Sequence, residues 1–263
     1  MFSKEYWLFC LPICVPMIIH DLSGIILNQC DRVMIQQISS LTQVGIYSLV
    51  ASFCGILTSI NSAFNNSWVP FYYDYSKNND YVQIKKRASR YLEVISVIAI
   101  GFLCLSPEVY HLYASSEYWD GTSIIPLFVI GAFMVSLYVF PVNYEIYNKN
   151  SKLIAATTIA AAIINICLNA IMIPMYGIWG AAFATALSHF LQFFFHYISA
   201  KFFVKNGSVF PYNLKMFIPF IAIIGGGIIF FYLFQHFWYI RWLIGVCLGI
   251  LEIFRIYKRK AIF

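Results

Sequence analysis

The polar residues that could bind a ligand are few, and they lie inside long apolar segments. Asp21 is the deepest carboxylate: about 15 residues of the first segment precede it, or about 22 Å of helix at 1.5 Å per residue. Asn165 and Asn169 are four residues apart and therefore lie on one helical face, and the following segment contains Thr185. Carboxylate, amide and hydroxyl oxygens are hard ligands, suited to Na⁺ or a proton rather than to a soft metal.

The same residues have a purely structural interpretation. Asn and Thr commonly hydrogen-bond between membrane helices, and a buried carboxylate can be protonated or paired. His20 adjoins Asp21 in sequence, but consecutive helical residues point in directions about 100° apart, so the two side chains need not share a partner. The residues alone leave both interpretations open.

The composition predicts that lipid surrounds the elements that position these residues. The chain has 263 residues, of which 61% are hydrophobic and only 11% charged, and the mean hydropathy is +0.74. A soluble domain carries about 25% charged residues, so this chain has too little charge to cover itself with water. The net charge of +6 comes from bases predicted to lie between membrane spans, which argues against nucleic acid as a partner.

The hydropathy pattern predicts about eight membrane-spanning helices, since a span needs about 20 mainly apolar residues. The predicted segments are 6–37, 42–73, 88–112, 122–147, 152–174, 177–202, 213–234 and 237–257. The fifth and sixth segments meet at a tight Tyr176-Gly177 turn and must be antiparallel neighbours.

The lysines and arginines predict the orientation of the chain through the positive-inside rule. They concentrate at the N-terminus, at alternate connections and at the C-terminus, and only Arg32 and Arg241 lie at the other connections. Both termini are therefore predicted to lie in the cytoplasm. The cytoplasmic bases are Lys4, Lys77, Lys85, Lys86, Arg87, Arg90, Lys149, Lys152, Lys201, Lys205, Lys215, Arg255, Lys258, Arg259 and Lys260.

The sequence contains no motif of an enzyme. A phosphate-binding glycine loop, G-x-S-x-G and H-E-x-x-H are all absent. The seven cysteines lie singly in apolar runs, as free buried cysteines usually do. We therefore expect neither catalysis nor a resident cofactor, beyond coupling to Na⁺ or H⁺.

Two stretches of the chain resemble a known family. The first runs from Leu27-Asn28-Gln29-Cys30-Asp31-Arg32-Val33-Met34-Ile35 through Val44-Gly45-Ile46-Tyr47 to Trp68-Val69-Pro70-Phe71-Tyr72. The second runs from Asn165 and Asn169 through Ile173-Pro174-Met175-Tyr176-Gly177-Ile178-Trp179-Gly180 to Ala184-Thr185. In order and spacing they resemble the C-terminal lobe of bacterial oligosaccharide flippases, which share a superfamily with multidrug extrusion transporters and the lipid II flippase.

The resemblance implies an all-α, polytopic transmembrane helix bundle that forms one lobe of a two-lobed transporter. Residues 1–212 would form the six-helix C-terminal lobe, and residues 213–263 would add two further helices. The implied activity is movement of undecaprenyl-diphosphate-linked oligosaccharide across the bacterial inner membrane for surface polysaccharide biosynthesis. The implied partners are this lipid-linked oligosaccharide, membrane lipid and an N-terminal lobe that the chain lacks.

The resemblance also implies a cation site in this lobe. The matching positions are Asp21, Asn165, Asn169 and Thr185, which would bind Na⁺ or a proton. Some relatives carry an acidic residue at the position of Asn169, so the single carboxylate here gives proton coupling more weight. The residues expected to line the substrate cavity are His20, Asp21, Arg32 and His189.

Other functions remain open at the level of sequence. A cation-coupled drug antiporter or a lipid II flippase would have the same fold. A polysaccharide polymerase or ligase of the same pathway usually carries a large outer loop for its reaction, whereas the outer connections here are short. A non-catalytic membrane scaffold is the remaining alternative.

Overall fold

The computed structural model describes residues 4–204 and 209–259, and most of these residues are helical. Within these ranges the α-helices are α1 (Lys4–Ile38), α2 (Leu41–Lys77), α3 (Tyr81–Tyr113), α4 (Ile125–Tyr147), α5 (Ser151–Ile198), α6 (Leu214–Leu233) and α7 (Trp238–Arg259). A 3₁₀ segment, Ser116–Ile124, precedes α4, and a π-helical turn, Ser199–Phe203, follows α5. The predicted all-α class is confirmed.

Six helical segments of the described chain are long and apolar enough to cross a membrane. The one containing α5 runs for 53 residues, or about 80 Å at 1.5 Å per residue, against a hydrocarbon core of about 30 Å. It therefore contains two of the predicted spans. The predicted eighth span forms α7, which is long enough to cross but carries Arg241, Glu252 and Arg255 and is not among the six.

Gly177 folds α5 back on itself. Its φ of 57° and ψ of −134° interrupt the helix, and residues with a Cβ rarely adopt a positive φ. A Cβ added at Gly180 would lie 2.2 Å from the carbonyl oxygen of Met172, so the turn leaves no room for a side chain there. Hydrogen bonds join Asn165 to Thr185 and Thr158 to His196 across the turn. The arms 151–176 and 178–198 are antiparallel neighbours, as the sequence predicts.

The first compact unit of the chain comprises Met1–Leu41 and Tyr138–Phe210. In it, α1 runs parallel to the first arm of α5. Ser151 donates to the Pro12 carbonyl at 3.3 Å, and further along both helices Leu27 packs with Ala161 and Ala162. This parallel packing agrees with the predicted topology, in which the first and fifth spans cross in the same direction.

The second compact unit comprises Thr42–Leu137 and Pro211–Phe263, and within it α6 and α7 pack against α3. The fully buried Arg241 of α7 pairs with Glu108 and donates to the Cys104 carbonyl at 3.0 Å. Toward the other end of α7, Arg255 and Arg259 each lie 2.8 Å from Glu93. The charged residues of α7 make it less apolar than the other helices. Three of them form ion pairs with acidic residues of α3.

The connection before α3 is shorter than the sequence predicts. The helix begins at Tyr81 rather than at residue 88, because Asp80 caps it by accepting a hydrogen bond from the Gln83 amide at 3.1 Å. The bases at 85–90 consequently lie on the first turns of α3, and Lys and Arg are good helix formers. Lys205 and Lys260, which the topology prediction also uses, lie outside the described residues. The orientation and the division into 1–212 and 213–263 stay predictions.

Candidate functional site

One stripe of α1 faces the interior of the first unit. Its buried members are Ser23, Leu27, Asp31 and Ile35, which follow one another at four-residue intervals and therefore lie on one helical face. Three of them are small or apolar, and the fourth is a carboxylate. The packing of this stripe decides which acidic residue of α1 meets α5.

Asp31 is the carboxylate that reaches the polar face of α5. It is 2% exposed, and Thr185 Oγ1 donates a hydrogen bond to Asp31 Oδ2 at 3.1 Å. Asn165 Nδ2 donates to Thr185 Oγ1 at 3.4 Å, and Asn169 Nδ2 donates to Asn165 Oδ1 at 3.1 Å. These four residues, the Asp31 cluster, form a chain of donors that ends on the carboxylate.

The Asp31 cluster has the chemistry of a site for a hard cation. Both asparagines are 0% exposed. Asn169 Oδ1 is buried, and among the described residues it accepts no hydrogen bond, although buried polar oxygens normally do. A Na⁺ ion or a proton would be held by the Asp31 carboxylate, with amide and hydroxyl oxygens of α5 as further ligands.

The structure assigns to Asp31 the place that the sequence prediction gave to Asp21. Asn165, Asn169 and Thr185 come together as predicted. Asp21 lies ten residues before Asp31, about 15 Å along the helix, and its residue is exposed. It is also two positions, about 200°, from the buried stripe member Ser23. The first part of α1 therefore turns Asp21 away from the face that packs on α5.

The residues predicted to line a substrate cavity each have a different environment. His20 is half-buried, and its Nδ1 lies 2.7 Å from Thr158 Oγ1. His189 is buried, and its Nδ1 lies 3.2 Å from Gln192 Oε1 on the same helix. Arg32 is half-buried and donates to Gln29. The cavity stays a prediction, and the structure places both of its histidines in hydrogen bonds within the first unit.

A second polar cluster lies further toward the start of α1 and was missed by sequence reasoning. Glu145 Oε2 is 2.7 Å from His196 Nδ1, with both side chains fully buried. His196 Nε2 is 3.1 Å from Thr158 Oγ1, which in turn contacts His20. We call Glu145, His196, Thr158 and His20 the histidine cluster. Glu145 lies two residues before the end of α4, a position from which a carboxylate would ordinarily reach water, so its burial could not be predicted from the sequence.

An apolar layer lies between the two polar clusters along α1 and α5. Leu27, Ala161 and Ala162 are buried in it, and Phe195 packs against them. His20 and Asp31 are eleven residues apart on α1, or about 16 Å. The first unit therefore contains two polar sites, one at each side of this layer.

Comparison with known proteins supports the fold. A solved multidrug-resistance MATE family transporter of the MOP superfamily, in its outward-facing conformation, superposes with a TM-score of 0.54 over 81% of this chain and 49% of that chain, at 18% identity. The chain thus has the helical fold of about half of such a transporter. We conclude that it is a multi-pass membrane protein with a transporter-like fold.

The sequence comparisons are narrower. Over 152 residues the chain is 26% identical to Lsg locus protein 1 of Haemophilus influenzae. The aligned region covers 57% of this chain and 38% of that protein. No family model matches the sequence. The chain spans less than half the length of this relative.

Proposed function

We propose that this chain is one lobe of a flippase that moves undecaprenyl-diphosphate-linked oligosaccharide across a bacterial inner membrane, driven by a cation bound at the Asp31 cluster. The observation that carries the proposal is the 2% exposure of Asp31 within a membrane helix of a transporter-like fold. Ionisable residues within membrane segments usually face the interior of the helix bundle and mark ion and substrate pathways.

The cation would act by favouring one conformation of the transporter. A ligand shifts a conformational equilibrium only by its difference in affinity for the two states. The Asp31 cluster joins α1 to both arms of α5, so a movement of α1 along α5 would separate Asp31 from Thr185 and weaken cation binding. Binding would therefore stabilise the conformation in which these helices are packed as described.

The proposed substrate class follows from the two stretches of sequence that resemble oligosaccharide flippases. A diphosphate is best bound by Arg or Lys, and the described part of α1 offers Arg32, which is half-buried. An N-terminal lobe would contribute further positive charge. We therefore include such a lobe, as a partner of this chain, in the proposal.

A cation-coupled drug antiporter is the second candidate, because the solved structure with the matching fold is a multidrug-resistance transporter. A lipid II flippase would share the fold and the coupling site. A polysaccharide polymerase or ligase is less well supported. Its reaction usually needs a large outer loop, and the predicted outer segment between α3 and α4 is the short 3₁₀ segment Ser116–Ile124.

A translocation assay separates these candidates. The protein is purified from its own membrane in the assembly that it forms there and is placed in proteoliposomes with fluorescent undecaprenyl-diphosphate oligosaccharide. A membrane-impermeant quencher then reports how much label changes leaflet under a Na⁺ or pH gradient. Gradient-dependent movement of this substrate, but not of lipid II or a cationic dye, is the expected result. Movement of the dye alone would assign the protein to the drug antiporters.

A further inference from the structure

The histidine cluster contains a buried acid that the proposed cation site does not use. Glu145 lies near the end of α4, and both it and His196 have side chains that are 0% exposed. A buried ionised carboxylate is costly unless it is paired and hydrogen-bonded. Glu145 Oε2 has His196 as its partner, whereas Oε1 is buried with no hydrogen-bond partner among the described residues.

The contacts form a continuous line of exchangeable protons. From α1 inward they are His20 Nδ1 to Thr158 Oγ1 at 2.7 Å, Thr158 Oγ1 to His196 Nε2 at 3.1 Å, and His196 Nδ1 to Glu145 Oε2 at 2.7 Å. Each distance is within the range of a hydrogen bond. A hydroxyl can donate and accept at once, and a neutral imidazole donates from one nitrogen and accepts at the other.

All three hydrogen bonds of this line can form in two arrangements of the protons, and these arrangements differ by one proton. In the first, His20 Nδ1–H donates to Thr158, the Thr158 hydroxyl donates to His196 Nε2, and His196 Nδ1–H donates to the Glu145 carboxylate. In the second, protonated Glu145 donates to His196 Nδ1, His196 Nε2–H donates to Thr158, and the Thr158 hydroxyl donates to His20 Nδ1.

Every proton is accounted for when the first arrangement is converted into the second. A proton binds His20 at Nε2, and the Nδ1 proton of His20 passes to Thr158. The original Thr158 proton passes to His196 Nε2, and the Nδ1 proton of His196 passes to Glu145. Both histidines are neutral before and after, both have exchanged tautomers, and the net change is protonation of Glu145.

Among the described residues, each element packed around the cluster contributes few titratable or polar neighbours. From α1 the titratable groups near the cluster are His20 itself and the exposed Asp21 beside it. From α4, the Tyr138 ring lies 5.7 Å from the His196 ring, measured between centroids. From α5, Thr157 Oγ1 lies 3.2 Å from each His196 nitrogen. Asp21 is next to His20, at the end of the line furthest from Glu145, and its carboxylate would attract a proton to that end.

We propose that Glu145 and His196 form a proton-binding site that is filled from His20 through Thr158 and is separate from the Asp31 cluster. The apolar layer of Leu27, Ala161 and Ala162 keeps the two sites apart. Proton binding requires only this chain. Its use to drive transport, alongside the cation at Asp31, rests on the proposed function.

Infrared spectroscopy of the full chain in lipid nanodiscs tests the site without any transport assay. Lowering the pH should produce C=O bands of protonated carboxylic acids, and Glu145→Gln should remove one component of them, which Asp31→Asn leaves in place. Glu93→Gln should leave it, because Glu93 is held by Arg255 and Arg259 at the end of α3. Asp21→Asn identifies any band from the neighbouring exposed acid.

The route through Thr158 has its own test. Thr158→Val keeps the shape of the side chain but removes the hydroxyl, and it should slow hydrogen–deuterium exchange of the Glu145 acid by about tenfold, equal to about 1.4 kcal/mol of barrier. Thr157→Val is the matched control and should leave the rate unchanged, because the Thr157 hydroxyl contacts His196 without linking it to His20. An unchanged rate in Thr158→Val would overturn the route.

The proposal can also be tested on the unmutated chain, so the test does not depend on whether the variants fold. Nitrogen NMR of isotope-labelled histidines distinguishes the two tautomers of each ring. The His196 signal should change from the Nδ1–H to the Nε2–H form as the pH falls, whereas His189, whose neighbour is Gln192 rather than an acid, should keep its tautomer. A single His196 tautomer at every pH at which the chain stays folded would overturn the proposal, as would a set of titrating bands that is the same in Glu145→Gln as in the parent chain. A failed flipping assay with these signals present would count against the proposed function alone.

Discussion

Thr185 and Asp31, 154 residues apart in sequence, are joined by a hydrogen bond of 3.1 Å. This contact brings the second arm of α5 against α1, and Asn165 connects the same hydroxyl to the first arm. Three helical segments therefore meet at one carboxylate.

A second carboxylate in the Asp31 cluster should favour Na⁺ over a proton. In Asn169→Asp, the Nδ2 group that donates to Asn165 Oδ1 is replaced by oxygen, and the buried Oδ1 that accepts no hydrogen bond among the described residues becomes part of a charged carboxylate. We expect Na⁺ to bind about tenfold more tightly, a gain of about 1.4 kcal/mol. Isothermal titration of the variant and the parent chain with NaCl measures this difference. Weaker Na⁺ binding by the variant would mean that this oxygen does not face the cation.

The sequence predicted three of the four residues of this cluster, and these three lie on one helical hairpin. The resemblance to oligosaccharide flippases supplied Asn165, Asn169 and Thr185, and the Tyr176-Gly177 turn predicts that the two arms that carry them are antiparallel neighbours. The choice between Asp21 and Asp31 depended instead on the register of α1 against α5. This is a long-range contact, and in a helix that is apolar on every side no hydrophobic stripe marks the buried face.

The histidine cluster was missed for a related reason. Glu145 and His196 are 51 residues apart, and depth along a helix is a poor guide to burial near its end. The number and type of the helices, by contrast, could be predicted from length and hydropathy. Only α7 departs from the pattern, because α3 neutralises charges that hydropathy alone counts as unfavourable.

The hairpin of α5 should depend on a missing side chain at Gly180. In Gly180→Ala, the new Cβ would meet the Met172 carbonyl oxygen at 2.2 Å, so the arms must separate. We expect a loss of about 1–3 kcal/mol in the free energy of unfolding, the usual cost of overpacking. Denaturant unfolding in detergent, followed by circular dichroism, measures it. Gly249→Ala is the matched control, because a Cβ there meets nothing within 4 Å, and an equal loss in both variants would contradict this account.

The attachment of α7 to α3 should depend on the ion pair of Arg241 and Glu108. Glu108→Gln leaves the buried guanidinium without its anion, and we expect a loss of about 2 kcal/mol, since hydrogen bonds to charged groups contribute about 1.5–3 kcal/mol. The double variant Arg241→Met with Glu108→Gln should recover part of this loss, because no buried charge remains unpaired. Thermal unfolding of the three proteins compares them. Additive losses in the double variant would show that the two residues act independently.

The predicted orientation can be tested by labelling cysteines from outside the cell. Ser116→Cys should react with a membrane-impermeant maleimide in intact cells, and Asn78→Cys only after the membrane is opened. Both positions are exposed, whereas Ser76 on the same side as Asn78 is buried and would label poorly in either case. The exposed cysteines Cys10, Cys14, Cys167 and Cys247 are first replaced by serine. The reverse labelling pattern would overturn the orientation.

The thermal stability of the chain as a function of Na⁺ and pH tests the central claim most directly. A cation that binds only the folded chain stabilises it by about 2.7 kcal/mol at one hundred times its dissociation constant, which corresponds to a rise of about 5–10 °C in Tm for a chain of this size. If a proton takes the place of Na⁺, the Asp31-dependent change in Tm will follow pH and not Na⁺.

Asp31→Asn should abolish the Na⁺ response, or the part of the pH response that depends on Asp31, and Asp21→Asn should preserve it. The part of the pH response that comes from Glu145 should be lost only in Glu145→Gln. K⁺ at equal ionic strength controls for screening by salt. A Na⁺ response that survives in Asp31→Asn, a pH response that this substitution leaves unchanged, or a response that is lost in Asp21→Asn instead would contradict the assignment of the cation site to Asp31.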